Sequence, residues 1–279
     1  MKKGTFSTFF LILVLILGLS LLLYPSVSDY WNSQVQTKAV AGYMDEVSVL
    51  DEEKYTEIWD AARAYNESLV GRDNAYATSD EQKLQYEELL DISDLGIMGY
   101  IEIPPIDIRL PIYHGTEEAV LQVGIGHLDW TSLPVGGEST HCVVSGHRGL
   151  PSARLFTDLD KLVVGDLFMI HVLDETLTYE VDQILVVEPQ DTEELLIQEG
   201  KDLCTLVTCT PYGINSHRLL IRGHRVENLK ETVVVRVTAD AIRVEPLIVS
   251  AVIFVPMLLI MLMISFVVGA FSKRRNKRS

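Results

Sequence analysis

Two short segments hold residues whose types and settings suit acyl-transfer chemistry. The first reads Thr205-Leu-Val-Thr-Cys-Thr-Pro-Tyr-Gly-Ile-Asn-Ser-His-Arg218. An apolar run ends at Cys209, turn residues follow at Pro211, Gly213 and Asn215, and a second run opens at Arg218. A thiol at a strand end, beside a loop, is placed to meet a substrate. It is nucleophilic only as the thiolate, which nearby positive charge favours, and a guanidinium opening the next strand also donates hydrogen bonds to an oxyanion. The second segment reads Cys142-Val-Val-Ser-Gly-His147-Arg-Gly. Here too an apolar run ends at a polar residue in a glycine-flanked turn, so His147 is the candidate acid or base. Each residue alone has a plainer reading: a small buried cysteine, or a structural histidine.

The elements that must position these residues are mostly strands. Runs at Tyr100–Ile103, Arg109–Tyr113, Cys142–Ser145, Leu167–Val172, Thr176–Val187, Leu203–Thr208, Arg218–Arg222 and Thr232–Val237 favour β structure between Pro and Gly punctuation. Eight short strands predict a mainly β fold, a barrel or a sandwich. Short helices are predicted at Glu117–Val123, Ala153–Leu159 and Thr192–Leu196. Ahead of the strands, Ile58, Ala61, Ala62, Tyr65 and Leu69 recur at helical spacing and predict one amphipathic helix over Met44–Val70. A polar loop over Arg72–Asp80 and a second helix over Glu81–Leu90 follow.

Both ends of the 279-residue chain are apolar. No charge lies between Lys3 and Asp29, or between Glu245 and Lys273. Roughly 20 apolar residues span a bilayer as a helix. Lys2 and Lys3 precede the first stretch, and Lys273, Arg274, Arg275, Lys277 and Arg278 follow the second. Positive charge stays in the cytoplasm, so both termini are expected inside and the domain between them outside, a multi-pass arrangement in the cell membrane. A cleaved signal peptide is the other reading of the first stretch, with Ser26-Val27-Ser28 the nearest cleavage candidate. The net charge of −16 makes the domain a poor nucleic-acid binder, because phosphate contacts need Lys and Arg. The three cysteines leave at least one thiol free or paired between chains.

The two segments, together with Ser145-Gly-His-Arg-Gly-Leu-Pro151 and Gly99-Tyr-Ile-Glu-Ile-Pro104, resemble the sortases, the cysteine transpeptidases of Gram-positive surfaces. With a C-terminal span they resemble class C, the pilus-assembling sortases. The resemblance implies an eight-stranded sortase-type β-barrel at 98–240, after a membrane anchor at 1–28 and a helical region at 29–97. A transmembrane helix at 241–272 and a basic tail at 273–279 follow. It implies Cys209 as nucleophile, His147 as general acid and base, and Arg218 as oxyanion or peptide stabiliser, with no cofactor and no metal. The implied reaction cleaves an LPXTG-like sorting signal between Thr and Gly, forms a thioester at Cys209 and passes it to a lysine amine of a pilin subunit. The implied partners are thus pilins and the lipid bilayer, with no nucleic acid. Two alternatives stay open: a sortase that anchors proteins to peptidoglycan, and a membrane-held β domain that binds a partner with Cys209 inert.

Class C sortases often carry a lid, an Asp-Pro-aromatic motif over the cysteine. The corresponding loop reads Arg72-Asp-Asn-Ala-Tyr76, so Asp73 and Tyr76 are the lid candidates, without the proline and with one extra residue. Cys142 lies five residues before His147, and Cys204 five before Cys209. On the adjacent parallel strands that the family fold implies, Cys142 and Cys204 are neighbours facing away from the catalytic pair. Two buried thiols are expected there rather than a disulfide. His217 is expected to point away from Arg218, and His114, His127, His141, His171 and His224 to be structural or on the surface.

Overall fold

The structure, a computed structural model, describes residues 3–72, 76, 79–93 and 95–228. The expected strand at Thr232–Val237, the C-terminal span, the basic tail and Asp73 lie outside the described residues. Ser28–Lys230 make up one compact unit, which holds the barrel.

Three helices lead into that barrel: α1 (Lys3–Ser48), α2 (Glu52–Leu69) and α3 (Asp80–Glu88). Within α1, the segment Ile12–Ser48 contains an 18-residue stretch of mean hydropathy 1.9, long and apolar enough to cross a membrane. The single helix expected over Met44–Val70 is two. Asp51 sits in extended backbone (φ −80°, ψ 162°) and its carboxylate accepts the Lys54 N–H at 2.8 Å, so it caps α2 instead of continuing α1. Ser79 and Gln82 cap α3 reciprocally. Beyond Val27, α1 presents one stripe at spacings of three and four. Val40 and Tyr43 are buried there. The Tyr43 hydroxyl donates to the Met98 carbonyl and accepts the Leu173 N–H at 2.7 Å.

Eight strands close into a barrel: β1 (Ile97–Ile103), β2 (Ile108–His114), β3 (Ile125–His127), β4 (Thr140–Ser145), β5 (Leu167–Val172), β6 (Glu175–Val187), β7 (Asp202–Thr210) and β8 (His217–Arg225). Their order around the barrel is β1-β2-β3-β4-β7-β8-β6-β5. The β2–β3 and β4–β7 pairs are parallel, and every other pair is antiparallel. Closure removes the exposed sheet edges that invite association. Ile101, Ile103, Ile112, Val144, Phe168, Ile170, Tyr179, Leu206 and Ile221 fill the interior at no more than 1% exposure. They come from alternate positions of their strands, as a half-buried sheet requires.

Seven of the eight expected strands are present, the eighth, Thr232–Val237, lies outside the described residues, and β3 is an addition. The sequence pattern missed β3, which is only three residues long, too short for alternation to register. Gly126 makes it possible: a Cβ there would stand 2.1 Å from the Gly115 carbonyl oxygen. The helix expected over Ala153–Leu159 is absent. Leu155 takes a left-handed φ of 38°, and the Phe156 N–H donates to the His147 carbonyl, closing a loop in place of a helical turn. The helix expected over Glu117–Val123 shrinks to α4 (Glu118–Leu121), and that over Thr192–Leu196 to a single 3-10 turn at Glu193–Leu195.

Candidate active site

The site grows from the far ends of β4 and β7. Cys204 and Leu206 point into the core, so alternation turns Val207 and Cys209 outward. Cys209 is half-buried at the strand's end and carries a free thiol. In the antiparallel β7–β8 pair its register partner is Arg218. Directly opposed residues project to the same face with Cβ atoms about 5 Å apart. The β7–β8 connection therefore sets Cys209 and Arg218 side by side on one face although nine positions separate them in sequence. The next pair, Thr210 with His217, faces the other way, as expected for His217.

His147 arrives along β4. The parallel β4–β7 pairing runs from Thr140↔Asp202 to Ser145↔Val207. Two further bonds carry it past the strand: Gly146 N–H donates to the Val207 carbonyl at 3.1 Å, and Thr208 Oγ1 donates to the Gly146 carbonyl at 2.7 Å. Residue 146 must be glycine, because a Cβ would meet Phe156 at 2.8 Å and Ile125 at 2.9 Å. His147 thus follows immediately on backbone tied to Val207 and Thr208, beside Cys209. Its Nε2 is buried without a hydrogen-bond partner, 3.7 Å from Glu118 Oε2. The other Glu118 oxygen accepts from Gln122 Nε2 at 2.5 Å, which aims the carboxylate at His147.

Arg218 is held by its own turn. Its Nη1 donates to the His217 carbonyl at 3.2 Å and the Asn215 carbonyl at 3.4 Å, Asn215 being left-handed (φ 60°). No carboxylate among the described residues pairs with Arg218. Its remaining N–H groups are available to a substrate oxygen. Arg148 adjoins His147, and no local pattern in the sequence marks it as part of the site. Its side chain is only 9% exposed, bonds to Thr210 Oγ1 at 3.2 Å, pairs with Asp160 and lies over the Tyr212 ring at 6.0 Å. It therefore clamps the histidine turn to the residue after Cys209.

A second apolar cluster lies on the outer face of β4, β7 and β8. Val143, Val207, Leu220 and Leu195 are buried in it, and Leu128 and Trp130 pack against them. Beside it a cavity of about 240 Å³ is lined by Leu69, Arg72, Trp130, His141, Leu195 and Ile197, among others. Tyr76 stands edge-on to Trp130 at 5.0 Å.

The remaining cysteines and histidines have other settings. Cys142 and Cys204 are register partners, both buried in the core with free thiols. Burial pushes the Cys204 thiol well up, and its hydrogen bond with Cys142 adds to that. His141 is fully buried with both ring nitrogens bonded, to the Leu196 carbonyl at 2.9 Å and Thr205 Oγ1 at 2.7 Å. Burial lowers it to about 4, against the opposing pull of the Leu196 carbonyl. His127 lies between the Tyr86 hydroxyl and the Ser132 carbonyl, and His114 between two carbonyls. His171 stacks on Tyr100, and His224 is half-exposed near Asp182.

A sortase-domain model matches residues 101–226. The crystal structure of sortase C1 from Streptococcus agalactiae is 53% identical, covers 69% of this chain and 100% of its own, and superposes with a TM-score of 0.68. Sortase C from Streptococcus pneumoniae is 46% identical over 68% of this chain and 97% of its own, with a TM-score of 0.62. Among curated relatives, sortase D of Bacillus subtilis is 33% identical over 131 residues, 46% of this chain, and the match spans 63% of that relative, under two thirds of its length. Sortase A of Bacillus anthracis is 26% identical over 81% of this chain and 97% of its own. The closed barrel, the family match and the identity across the whole of the streptococcal domain agree: this chain belongs to the sortase family of cysteine transpeptidases.

Proposed function

We propose that this protein is a membrane-anchored transpeptidase that joins pilin subunits through Cys209, with His147 and Arg218 as its catalytic partners. The observation that carries the reading is the register of β7 and β8, which sets Cys209 opposite Arg218. The β4–β7 bonds at Gly146, which deliver His147 to the same end, support it.

The Cys209 thiolate attacks the carbonyl carbon of the Thr–Gly bond in an LPXTG-like sorting signal. Arg218 donates to the oxygen as it gains charge. The C–N bond breaks while His147 gives its proton to the leaving glycine amine, and a thioester remains. A lysine amine of the next pilin then attacks the same carbon, the C–S bond breaks, His147 takes the amine proton, and an isopeptide bond forms. Pilin as substrate is supported by likeness to class C enzymes, one described with its pilin substrate specificity and another as the sortase of a pilus island. The flanking charges support a multi-pass placement with the barrel outside the cell and both termini in the cytoplasm.

The test is to incubate the full-length protein with a sorting-signal peptide and look for an acyl-enzyme by mass spectrometry, then add a lysine-bearing pilin domain. A thioester on Cys209 that passes to the pilin lysine is expected. Transfer only to a peptidoglycan stem amine would reassign the acceptor, and no adduct on Cys209 would overturn the reading.

A further inference from the structure

Helix α1 holds the backbone around His147 with side chains that the chemistry does not use. Asp29, Asn32 and Gln36 follow one another at spacings of three and four, so they share a face. That face continues into Val40 and Tyr43, which are packed against the barrel. Asp29 Oδ1 accepts the Arg154 N–H at 2.7 Å. Asn32 Nδ2 donates to the Ser152 carbonyl at 2.7 Å. Gln36, 8% exposed, donates from Nε2 to the Val123 carbonyl at 3.0 Å.

The partners of these side chains are not scattered. Ser152 and Arg154 belong to the loop that leaves at His147 and returns at Phe156, closed by the Phe156 N–H to the His147 carbonyl at 3.1 Å. Val123 belongs to the turn that ends α4, bonded through its own N–H to Val120. That helix carries Glu118, whose carboxylate faces His147 Nε2. Both segments flanking the histidine are therefore tied to one helix face. Each tie is to backbone, so it constrains where the segment sits and not which side chain it bears. Loops without regular structure are otherwise the least restrained parts of a fold.

We propose that Asp29, Asn32 and Gln36 form a strut that positions His147 for proton transfer, the first two through the 148–155 loop and the third through α4. This rests on the reading of His147 as the general acid. Reaction geometry is sensitive to displacement, and a positioned general acid contributes roughly 10²–10⁴-fold. In that reading the sorting peptide meets Cys209 and Arg218 at the ends of β7 and β8, and none of the contacts of Asp29, Asn32 or Gln36 is with those residues. Loss of the strut therefore lowers kcat and leaves KM in place.

The experiment uses the full-length protein in detergent micelles with a sorting-signal peptide. Asn32→Asp replaces the donor with a carboxylate facing the Ser152 carbonyl, and Asn32→Ala removes it. The expected result is a fall in kcat of roughly tenfold for Asn32→Ala and more for Asn32→Asp, with KM within about twofold. Asp29→Asn, which keeps the acceptor oxygen, restores most of the turnover lost in Asp29→Ala. Val35→Ala, at an exposed position of the same helix, leaves kcat unchanged. Combining Asn32→Ala with His147→Ala costs nothing beyond His147→Ala alone, because the strut acts through the histidine. The strut is overturned by unchanged kcat in both Asn32 variants, by a rise in KM alone, or by additive losses in the double variant. Thermal melting of each variant separates loss of the strut from loss of the fold, and a kcat deficit that merely tracks the unfolded fraction also overturns it. An unaffected His147→Ala enzyme would instead overturn the reading of His147 itself, and the strut with it.

Discussion

The middles and the ends of β4 and β7 carry the same chemistry to opposite effect. In the middle stand His141, Cys142 and Cys204, all within 2% exposure. At or just past the ends stand His147 and Cys209, both half-buried. The middle histidine has both nitrogens bonded, and the middle thiols face each other across the parallel pair in an apolar core. The end histidine has a buried nitrogen without a hydrogen-bond partner, and the end cysteine is paired in register with Arg218 across a turn. Residue type therefore does not select the reactive group here. A strand middle satisfies or desolvates whatever it carries, and desolvation holds a thiol in its neutral form. A strand end leaves a side chain with room for a substrate and access to residues on neighbouring turns.

The largest test of this contrast is at the cysteines themselves. Cys209→Ala is expected to cut acyl-enzyme formation and product by at least ~10³-fold without changing the melting temperature by more than a few degrees. Cys142→Ala and Cys204→Ala are expected to keep turnover per folded molecule. Mass spectrometry after brief treatment of native protein with a thiol reagent should find label on Cys209 alone. Fast labelling at Cys204 would break the contrast.

Next in size is Arg218→Ala, expected to lower kcat about 10²-fold by removing an oxyanion donor. Steady-state kinetics should show Arg218→Lys recovering only part of that, since an ammonium lacks the planar fork.

The buried histidine gives a stability test. His141 holds fewer protons folded than unfolded between about 4 and the ordinary 6.5. Its contribution is therefore complete above pH 6.5 and is lost as pH falls toward 4, a change on the order of 2–3 kcal/mol. Denaturant titrations across that range should show the slope, and His141→Asn, which keeps a donor toward the Leu196 carbonyl, should flatten it. An unchanged acid limb would mean that His141 is not the group responsible.

The smallest expected effect is Cys204→Ala, about 1 kcal/mol of stability from a small buried cavity. Chemical denaturation would measure it. A loss several times larger would point to a role for the thiol pair beyond packing.

Much of the site was legible from sequence because its signals are local. An apolar run that stops at Cys209, turn residues, and a run that opens at Arg218 describe a hairpin, and a hairpin sets its own register. The Cys142 and Cys204 neighbours followed from equal spacing on two strands that the family fold makes parallel. Less legible were features that depend on distant chain. The three residues of β3 are a strand only because Gly126 lets the chain approach Gly115. The segment Ala153–Leu159 has a helical composition, yet the His147 carbonyl claims the Phe156 N–H and the helix does not form. The stripe Asp29, Asn32, Gln36, Val40 and Tyr43 was present in the sequence at helical spacing. Its polar half reads as solvent-facing until the loop backbones that it bonds are seen.

By itself the sequence determined the strand-rich class, the apolar N-terminal helix, the candidates Cys209, His147 and Arg218, and the expectation that Cys142 and Cys204 are buried. The class, the helix and the three candidates follow from periodicity, turn chemistry and short-range spacing, which are properties of neighbours along the chain, while the burial of Cys142 and Cys204 follows only with the parallel strands that the sortase resemblance implies. Only the tertiary structure decided that His147 is held beside Cys209 by Gly146 and Thr208, that Arg148 clamps the two turns, and that α1 grips the loop beyond the histidine. Those contacts join residues about 60 to 120 positions apart. Packing brings them together, and no local pattern encodes a hydrogen bond to a backbone carbonyl whose place is set by the rest of the barrel.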